Sequence, residues 1–317
     1  MTRKRVFFLS FVLIITILVI VYTRWNYHNN LNKSLLDLTS SYFNVRIDAV
    51  EKLGRLADRQ AVEPLIKVLM TDKIMDVRLA AACALEKIKD PRAVDPLITV
   101  MNDDKEELVR SKSATILGNM GDVRVVEPLI QTLKNRDYNN YLVRASAAEA
   151  LGHTKDDRAV GPLMGVMQDE CCGFLAAVSL SQIKGQGYLL SILEEDPRKY
   201  DPLICKLLAK VLCLHTSTDY FNERIPRLFM SAIEKQRLEV VAGAYSFFIL
   251  KGENGSEPVL IAALEKYGDK NMAIDFVNAG NETLSKAGIA WLKKNRYELI
   301  PHVSFGEEPR GPKWNGQ

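Results

Sequence analysis

Histidine, cysteine and acidic side chains carry most metal and acid–base chemistry, and histidines are few in this chain. Of the 317 residues only four are histidine, and no two have the spacing of ligands to one metal ion. Serine and cysteine lack a recognisable partner base, and Gly185-Gln186-Gly187 follows no predicted strand as a phosphate loop would. We therefore predict no catalytic residue, no metal and no cofactor. The histidines are His28, His153, His215 and His302.

The five cysteines form an odd set without metal-site spacing, so no disulfide framework is predicted. Cys205 and Cys213 would lie about 12 Å apart along a helix, too far to bridge, and are predicted to be core thiols. Cys171 and Cys172 are adjacent and could hold a soft metal or act as a redox pair. The interpretation we favour is a small apolar pair at the start of a helix. The fifth cysteine is Cys83.

Four arginines recur within Val-Arg pairs at spacings of 32, 32 and 34 residues. Such a ladder could bind an anion. A feature that recurs once per repeat is more typical of architecture, however, so we predict that each guanidinium bridges to an aspartate carboxylate in a neighbouring turn. The ladder consists of Arg46, Arg78, Arg110 and Arg144.

The elements around the ladder repeat with it. Each Val-Arg pair begins an apolar helical pattern that ends near Leu53, Leu85, Leu117 or Leu151. A turn with a recurrent aspartate follows, then an apolar segment such as Val62-Glu63-Pro64-Leu65-Ile66. Aspartate favours a helix start, and the proline predicts a bend in the second helix. Neither helix can bury its apolar stripe alone, so the units must stack. The recurrent aspartates are Asp58, Asp90, Asp122 and Asp156.

These units resemble HEAT repeats of the short class also found in phycobilisome lyases. The resemblance implies an all-α solenoid of about eight stacked helix pairs, with regular repeats over 31–170 and degenerate repeats with a C-terminal cap over 171–298. It also implies hydrogen bonds between the arginines and turn aspartates of adjacent units. The HEAT-like deoxyhypusine hydroxylase binds iron through His-Glu pairs soon after the Val-Arg phrase. In this chain the corresponding positions are occupied by Ile47-Asp48 and Leu79-Ala80. Because these residues are not His-Glu pairs, deoxyhypusine hydroxylase activity is excluded.

Beyond Cys171 the repeat weakens, but helical spacing persists and no strand is predicted. Aromatic residues become more frequent there, and most are expected in the core. Residues 299–317 are rich in Pro, Gly and charge and are predicted to be a flexible tail, with Trp314 as a candidate anchor. The predicted helices span 174–183, 202–214, 225–233, 238–250, 257–261, 272–277 and 284–291.

The amino terminus predicts a membrane anchor. Residues 1–5 carry three basic side chains, 6–23 form a transmembrane signal anchor, and 24–30 form a juxtamembrane linker. A cleavable signal peptide is the alternative, but no pair of small residues follows the apolar stretch. By the positive-inside rule we expect the amino terminus to be cytoplasmic and the repeats to be extracytoplasmic, which means periplasmic in a two-membrane bacterium.

Asn254 and Asn281 match glycosylation triplets, which matter only in a eukaryotic secretory route.

Composition and charge narrow the function classes. The hydrophobic fraction of 47% is that of a folded protein, and a net charge of +3 gives no electrostatic footprint for nucleic acid. We predict a membrane-anchored, non-catalytic scaffold that binds protein partners on its concave surface and assists assembly of an envelope complex. The alternative is a lyase-like enzyme or accessory acting on a cofactor-bearing protein. A nucleic-acid-binding solenoid ranks third.

Overall fold

The computed structural model describes residues 3–136, 140–195, 199–214, 224–251 and 255–297. Side chains of residues 1–12 lie outside the described part, as do His215, His302, Asn254 and residues 298–317. The chain is 82% helical, with 18 α-helices and no strand among the described residues. The prediction of an all-α protein is confirmed. The chain divides into two compact units, Met1–Thr154 and Lys155–Gln317.

The described part of unit 1 contains eight α-helices, and short 3-10 turns at Arg59–Ala61, Pro91–Ala93 and Val123–Val125 lie between some of them. The helices are α1 (Arg3–Asp37), α2 (Phe43–Leu56), α3 (Val62–Thr71), α4 (Met75–Ile88), α5 (Val94–Asp103), α6 (Glu107–Met120), α7 (Val126–Lys134) and α8 (Tyr141–Thr154).

The Val-Arg helices α2, α4, α6 and α8 stack side by side in chain order. Small residues allow this close packing. A Cβ added to Gly118 on α6 would lie 2.6 Å from the Cα of Ala150 on α8. The two backbones therefore meet directly, which no larger side chain permits.

The second helices pack differently from the expected repeat unit. Helices α3, α5 and α7 pack chiefly on the Val-Arg helix that follows them, α4, α6 and α8 respectively. The tight antiparallel pair is thus α3 with α4, and not α2 with α3. Sequence periodicity gives the length of a repeat but not the point at which it begins.

The recurrent aspartates cap 3-10 turns and not the α-helices themselves. The side chain of Asp58 accepts from the Gln60 N–H, after which α3 begins at Val62. Pro64 therefore lies in the first turn of α3, where its missing N–H has no intrahelical acceptor to lose. The expected bend within the helix is replaced by a junction between the 3-10 turn and the α-helix.

The Val-Arg helices end with a left-handed residue. Ala57, Lys89 and Gly121 have φ of 51°, 54° and 66° and follow α2, α4 and α6. This conformation closes the last turn and points the chain into the 3-10 turn. Only Gly121 adopts it without a Cβ penalty.

Helix α1 is unbroken from Arg3 to Asp37, so residues 24–30, expected to be a linker, are helical. Leu31, Ser34 and Leu38 are buried against the repeats. Among the described residues, no helix combines the length and apolar character needed to cross a membrane.

Unit 2 begins with a 3-10 turn at Asp157–Ala159 and contains ten helices in its described part. Phe229, Phe248 and Phe276 are fully buried, as expected for aromatic residues in the degenerate repeats. The helices are α9 (Val160–Gly165), α10 (Gly173–Lys184), α11 (Gln186–Glu194), α12 (Pro202–Leu214), α13 (Arg224–Glu234), α14 (Leu238–Gly243), α15 (Tyr245–Lys251), α16 (Glu257–Tyr267), α17 (Lys270–Val277) and α18 (Glu282–Lys294).

Two features of unit 2 differ from the sequence prediction. Helix α11 had no predicted counterpart, and the helix expected over 238–250 is interrupted at Ala244. The interruption follows Gly243, where an added Cβ would lie 2.2 Å from the Lys206 carbonyl oxygen. The break between α14 and α15 thus lies next to a close approach of α14 to α12.

Candidate functional site

The arginine ladder is a structural network at one edge of unit 1. Arg46 Nε and Nη2 donate to Asp72 at 2.7 and 3.0 Å. Arg78 donates in the same forked manner to Asp104, at 2.7 and 2.8 Å. The third nitrogen of Arg78 donates to the Asp72 carbonyl at 2.9 Å, so one guanidinium joins two successive turns.

The ladder continues at the later repeats through backbone acceptors. Arg110 Nη1 donates to the Asp104 carbonyl at 2.7 Å, and Arg144 Nε donates to the Leu133 carbonyl at 3.1 Å. The predicted bridge to an aspartate carboxylate in a neighbouring turn is observed at Arg46 and Arg78, whereas the hydrogen bonds described for Arg110 and Arg144 join backbone carbonyls. The partners differ from those the resemblance implied, because the carboxylates come from Asp72 and Asp104 in the other set of turns.

Sequence reasoning missed these two aspartates, although Asp72 and Asp104 recur 32 residues apart. Burial opposes ionisation of Asp104, but hydrogen bonds from Arg78 and from the Glu106 N–H outweigh it and lower the Asp104 pKa. The pKa of Asp72 is lowered in the same way by Arg46 and the Ile74 N–H. Both carboxylates are therefore charged and paired with guanidinium groups, as a structural role of the ladder requires.

The aspartates that were expected to meet the ladder make a second network at the opposite edge. Asp90 accepts from the Arg92 side chain and backbone, and these bonds lower its pKa to about 2. Arg92 also donates to the Arg59 carbonyl of the preceding repeat at 3.1 Å. Arg124 repeats the pattern with Asp122 and the Pro91 carbonyl. These turns are therefore laterally joined along one edge.

The other predicted chemistry-bearing residues are dispersed. His28 is on α1 and His153 on the last turn of α8. None of the five cysteines, all of them in the described part of the chain, forms a disulfide; Cys172 and Cys205 are buried and the others are half-buried. Burial raises the pKa of Cys83, Cys205 and Cys213, so these thiols stay protonated. The described residues contain no cluster of His, Cys, Asp and Glu able to hold a metal ion.

The Cys171–Cys172 pair lies directly before α10, which begins at Gly173. This is the helix-start position that the sequence predicted for an apolar pair.

Asn281, a glycosylation match, caps α18 by accepting from the Leu284 N–H at 3.0 Å and also donates to Glu257. Its side chain is thus engaged in the fold.

Large exposed apolar side chains gather at the edge that carries the Arg–Asp ladder. They lie at the ends of α1 and α3 and at the starts of α2, α4, α6 and α8, and are between 38% and 73% exposed. Within the described part of the repeats of unit 1, Val123 is the one such side chain at the other edge. We call this surface the apolar edge: Leu36, Tyr42, Phe43, Met70, Ile74, Leu108, Tyr141 and Leu142.

The apolar edge contains an open cavity of about 870 Å³ between the end of α1 and helix α3. Its lining combines apolar side chains with the Arg46–Asp72 pair and the exposed Lys67 and Lys73. Further along the edge, Glu107 accepts from the Leu142 N–H at 2.7 Å and brings the starts of α6 and α8 together. An extended apolar surface with polar groups at its border is typical of protein interfaces.

Comparison with known families agrees with this architecture. A family model described as HEAT repeats matches residues 32–115 and 103–184. The stacked helices of unit 1 agree with this match, and residues 32–184 are HEAT repeats of an α-helical solenoid. No curated protein matches the sequence.

Proposed function

We propose that this chain is a membrane-anchored scaffold whose protein partner binds along the apolar edge and that it assists assembly of an envelope complex. HEAT repeats commonly mediate protein–protein interaction. The observation that carries the proposal is the grouping of exposed apolar side chains, two of them tyrosine, on one edge of unit 1. Monomeric proteins rarely expose an extended apolar surface without using it, and aromatic side chains often anchor interfaces.

The proposed anchor is the amino-terminal part of α1. Every large apolar side chain from Leu13 to Tyr22 is exposed by 43% or more, so the repeats do not cover this stretch. Together with the apolar residues 6–12 it forms a helix of about 26 Å over residues 6–22, close to a hydrocarbon core of about 30 Å. Tyr22 and Trp25 follow it, as is common at a membrane interface.

Partner binding can be tested with matched substitutions of exposed apolar residues. Leu108→Ser combined with Tyr141→Ser alters the apolar edge, whereas Val123→Ser alters an apolar side chain at the opposite edge that is exposed by 68%, against 50% and 52% for the first two. Chemical crosslinking of the full chain in its native membrane should give a specific adduct that the first variant loses and the second keeps. Loss in both variants, or in neither, would count against the apolar edge.

The membrane topology has a separate test. A reporter active in only one compartment, fused after Gln317, should be active outside the cytoplasm if the repeats are extracytoplasmic. Activity in the cytoplasm would overturn the proposed localisation without affecting the apolar edge.

The alternative function, a lyase-like action on a cofactor-bearing protein, predicts a different readout. The purified chain would bind a bilin and shift its visible absorbance. No shift, together with a captured protein partner, is the result that the scaffold proposal predicts.

A further inference from the structure

We propose that the edge of unit 1 opposite the apolar edge rests on the phospholipid headgroups of the membrane that α1 enters. We call it the anchor edge and define it by the turns at 57–61, 89–93 and 121–125. This inference rests on the proposed membrane anchor and adds to it a contact surface and an orientation.

Helix α1 extends beyond the repeats of unit 1 at the anchor edge. Its carboxyl-terminal part is buried among the repeats through Leu31 and Ser34. Nearer its amino terminus, the Tyr27 hydroxyl donates to Asp58 Oδ2 at 2.7 Å, and the exposed apolar stretch lies beyond that contact. Because α1 has no break between Arg3 and Asp37, the direction of the anchor fixes the direction of the repeats.

Distances along α1 place the anchor edge at the headgroup layer. Tyr22 ends the apolar stretch, and Tyr27 lies five residues later, about 8 Å along the axis. The headgroup layer extends roughly 5–8 Å beyond the hydrocarbon core. Neighbouring helices lie about 9 Å apart, so a typical tilt of about 20° moves each successive turn by only about 3 Å relative to the membrane.

The charges of the anchor edge are arranged for this contact. The side chains of Asp90 and Asp122 are only 7% and 23% exposed. The Arg59 side chain is 84% exposed, and its Nε lies 3.8 Å from Asp90 Oδ2. Arg92 and Arg124 are about half-exposed. Arg92 also contacts Glu63, and Arg124 also contacts Asp95. Both acids lie in the first turn of an α-helix, further from the proposed membrane surface than the 3-10 turns. Cations at the turn tips suit the phosphates of anionic lipids.

A photo-crosslinking amino acid can test this orientation in the full chain reconstituted in vesicles that contain anionic phospholipid. One variant carries it at Arg59, on the anchor edge, and the matched variant carries it at Lys105, an exposed cation in the turn before α6. We expect lipid adducts roughly fivefold or more frequent from position 59, because position 105 lies about one helix length, 20 Å, further from the membrane. A third variant with the crosslinker at Leu108 should resemble position 105.

Vesicle flotation separates the two ways in which the inference can be overturned. If the wild-type chain does not float with the vesicles, the anchor itself is refuted, and this orientation with it. If the chain floats but positions 59 and 105 give equal adducts, or position 108 gives more than 59, the anchor stands and the orientation is wrong.

Discussion

Removing the Arg78 side chain should destabilise unit 1 far more than removing an exposed arginine of the other network. The Arg78 and Asp104 side chains are 5% and 7% exposed, and Arg78 makes three hydrogen bonds that join two turns. Arg78→Ala leaves the Asp104 carboxylate buried without its cation. Breaking such a pair costs about 3 kcal/mol or slightly more. For a unit of 154 residues this lowers the midpoint of thermal unfolding by roughly 6–12 °C.

Arg124→Ala is the matched control, because Arg124 also bridges two repeats but is 44% exposed, and its partner Asp122 is 23% exposed. Its removal should shift the midpoint by only a small fraction of the Arg78 effect, since exposed pairs are screened by water. Thermal unfolding of the full chain, followed by the helical circular dichroism signal, measures both. Equal shifts for the two variants, or no shift for Arg78→Ala, would refute the assignment of the ladder as the stronger network.

The remaining predictions concern helix ends, packing, pH and the anchor. Lys89→Gly should raise the free energy of unfolding by about 0.5–1 kcal/mol in chemical denaturation, because glycine removes the cost of the left-handed conformation; a decrease would contradict this. Gly118→Val should lower that free energy by about 1–3 kcal/mol, since its side chain meets backbone atoms of α8; an unchanged denaturation midpoint would show that the two helices separate easily. Asp90 has a folded-state pKa of about 2, below its ordinary value of about 4, so its stabilising contribution is complete above pH 4 and disappears as the pH falls toward 2. Asp90→Asn should therefore flatten the fall in the thermal midpoint over that range. Tyr27→Phe removes the bond to Asp58 and should increase amide hydrogen exchange in α1 near residue 27 about fivefold, for a loss of about 1 kcal/mol; unaltered exchange would mean that burial of Leu31 alone holds the helix.

The sequence alone determined the features that depend on neighbours along the chain. The Val-Arg phrase, the capping aspartate and the apolar spacing predicted the helices and turns of unit 1. Most helices of unit 2 followed from the same periodicity. Helix α11 was the exception, because it begins within a Gly-Gln-Gly stretch that resembles a loop.

Contacts between distant residues were decided only by the tertiary structure. Along the chain each arginine lies between two sets of turns, and both sets recur with the same period as the arginines, so periodicity alone could not show that Arg78 binds Asp104. Nor could it show that α3 packs on α4. The apolar edge is also a product of stacking, because Phe43, Ile74, Leu108 and Tyr141 are separated by about thirty residues along the chain and become one surface only when successive helices are placed side by side.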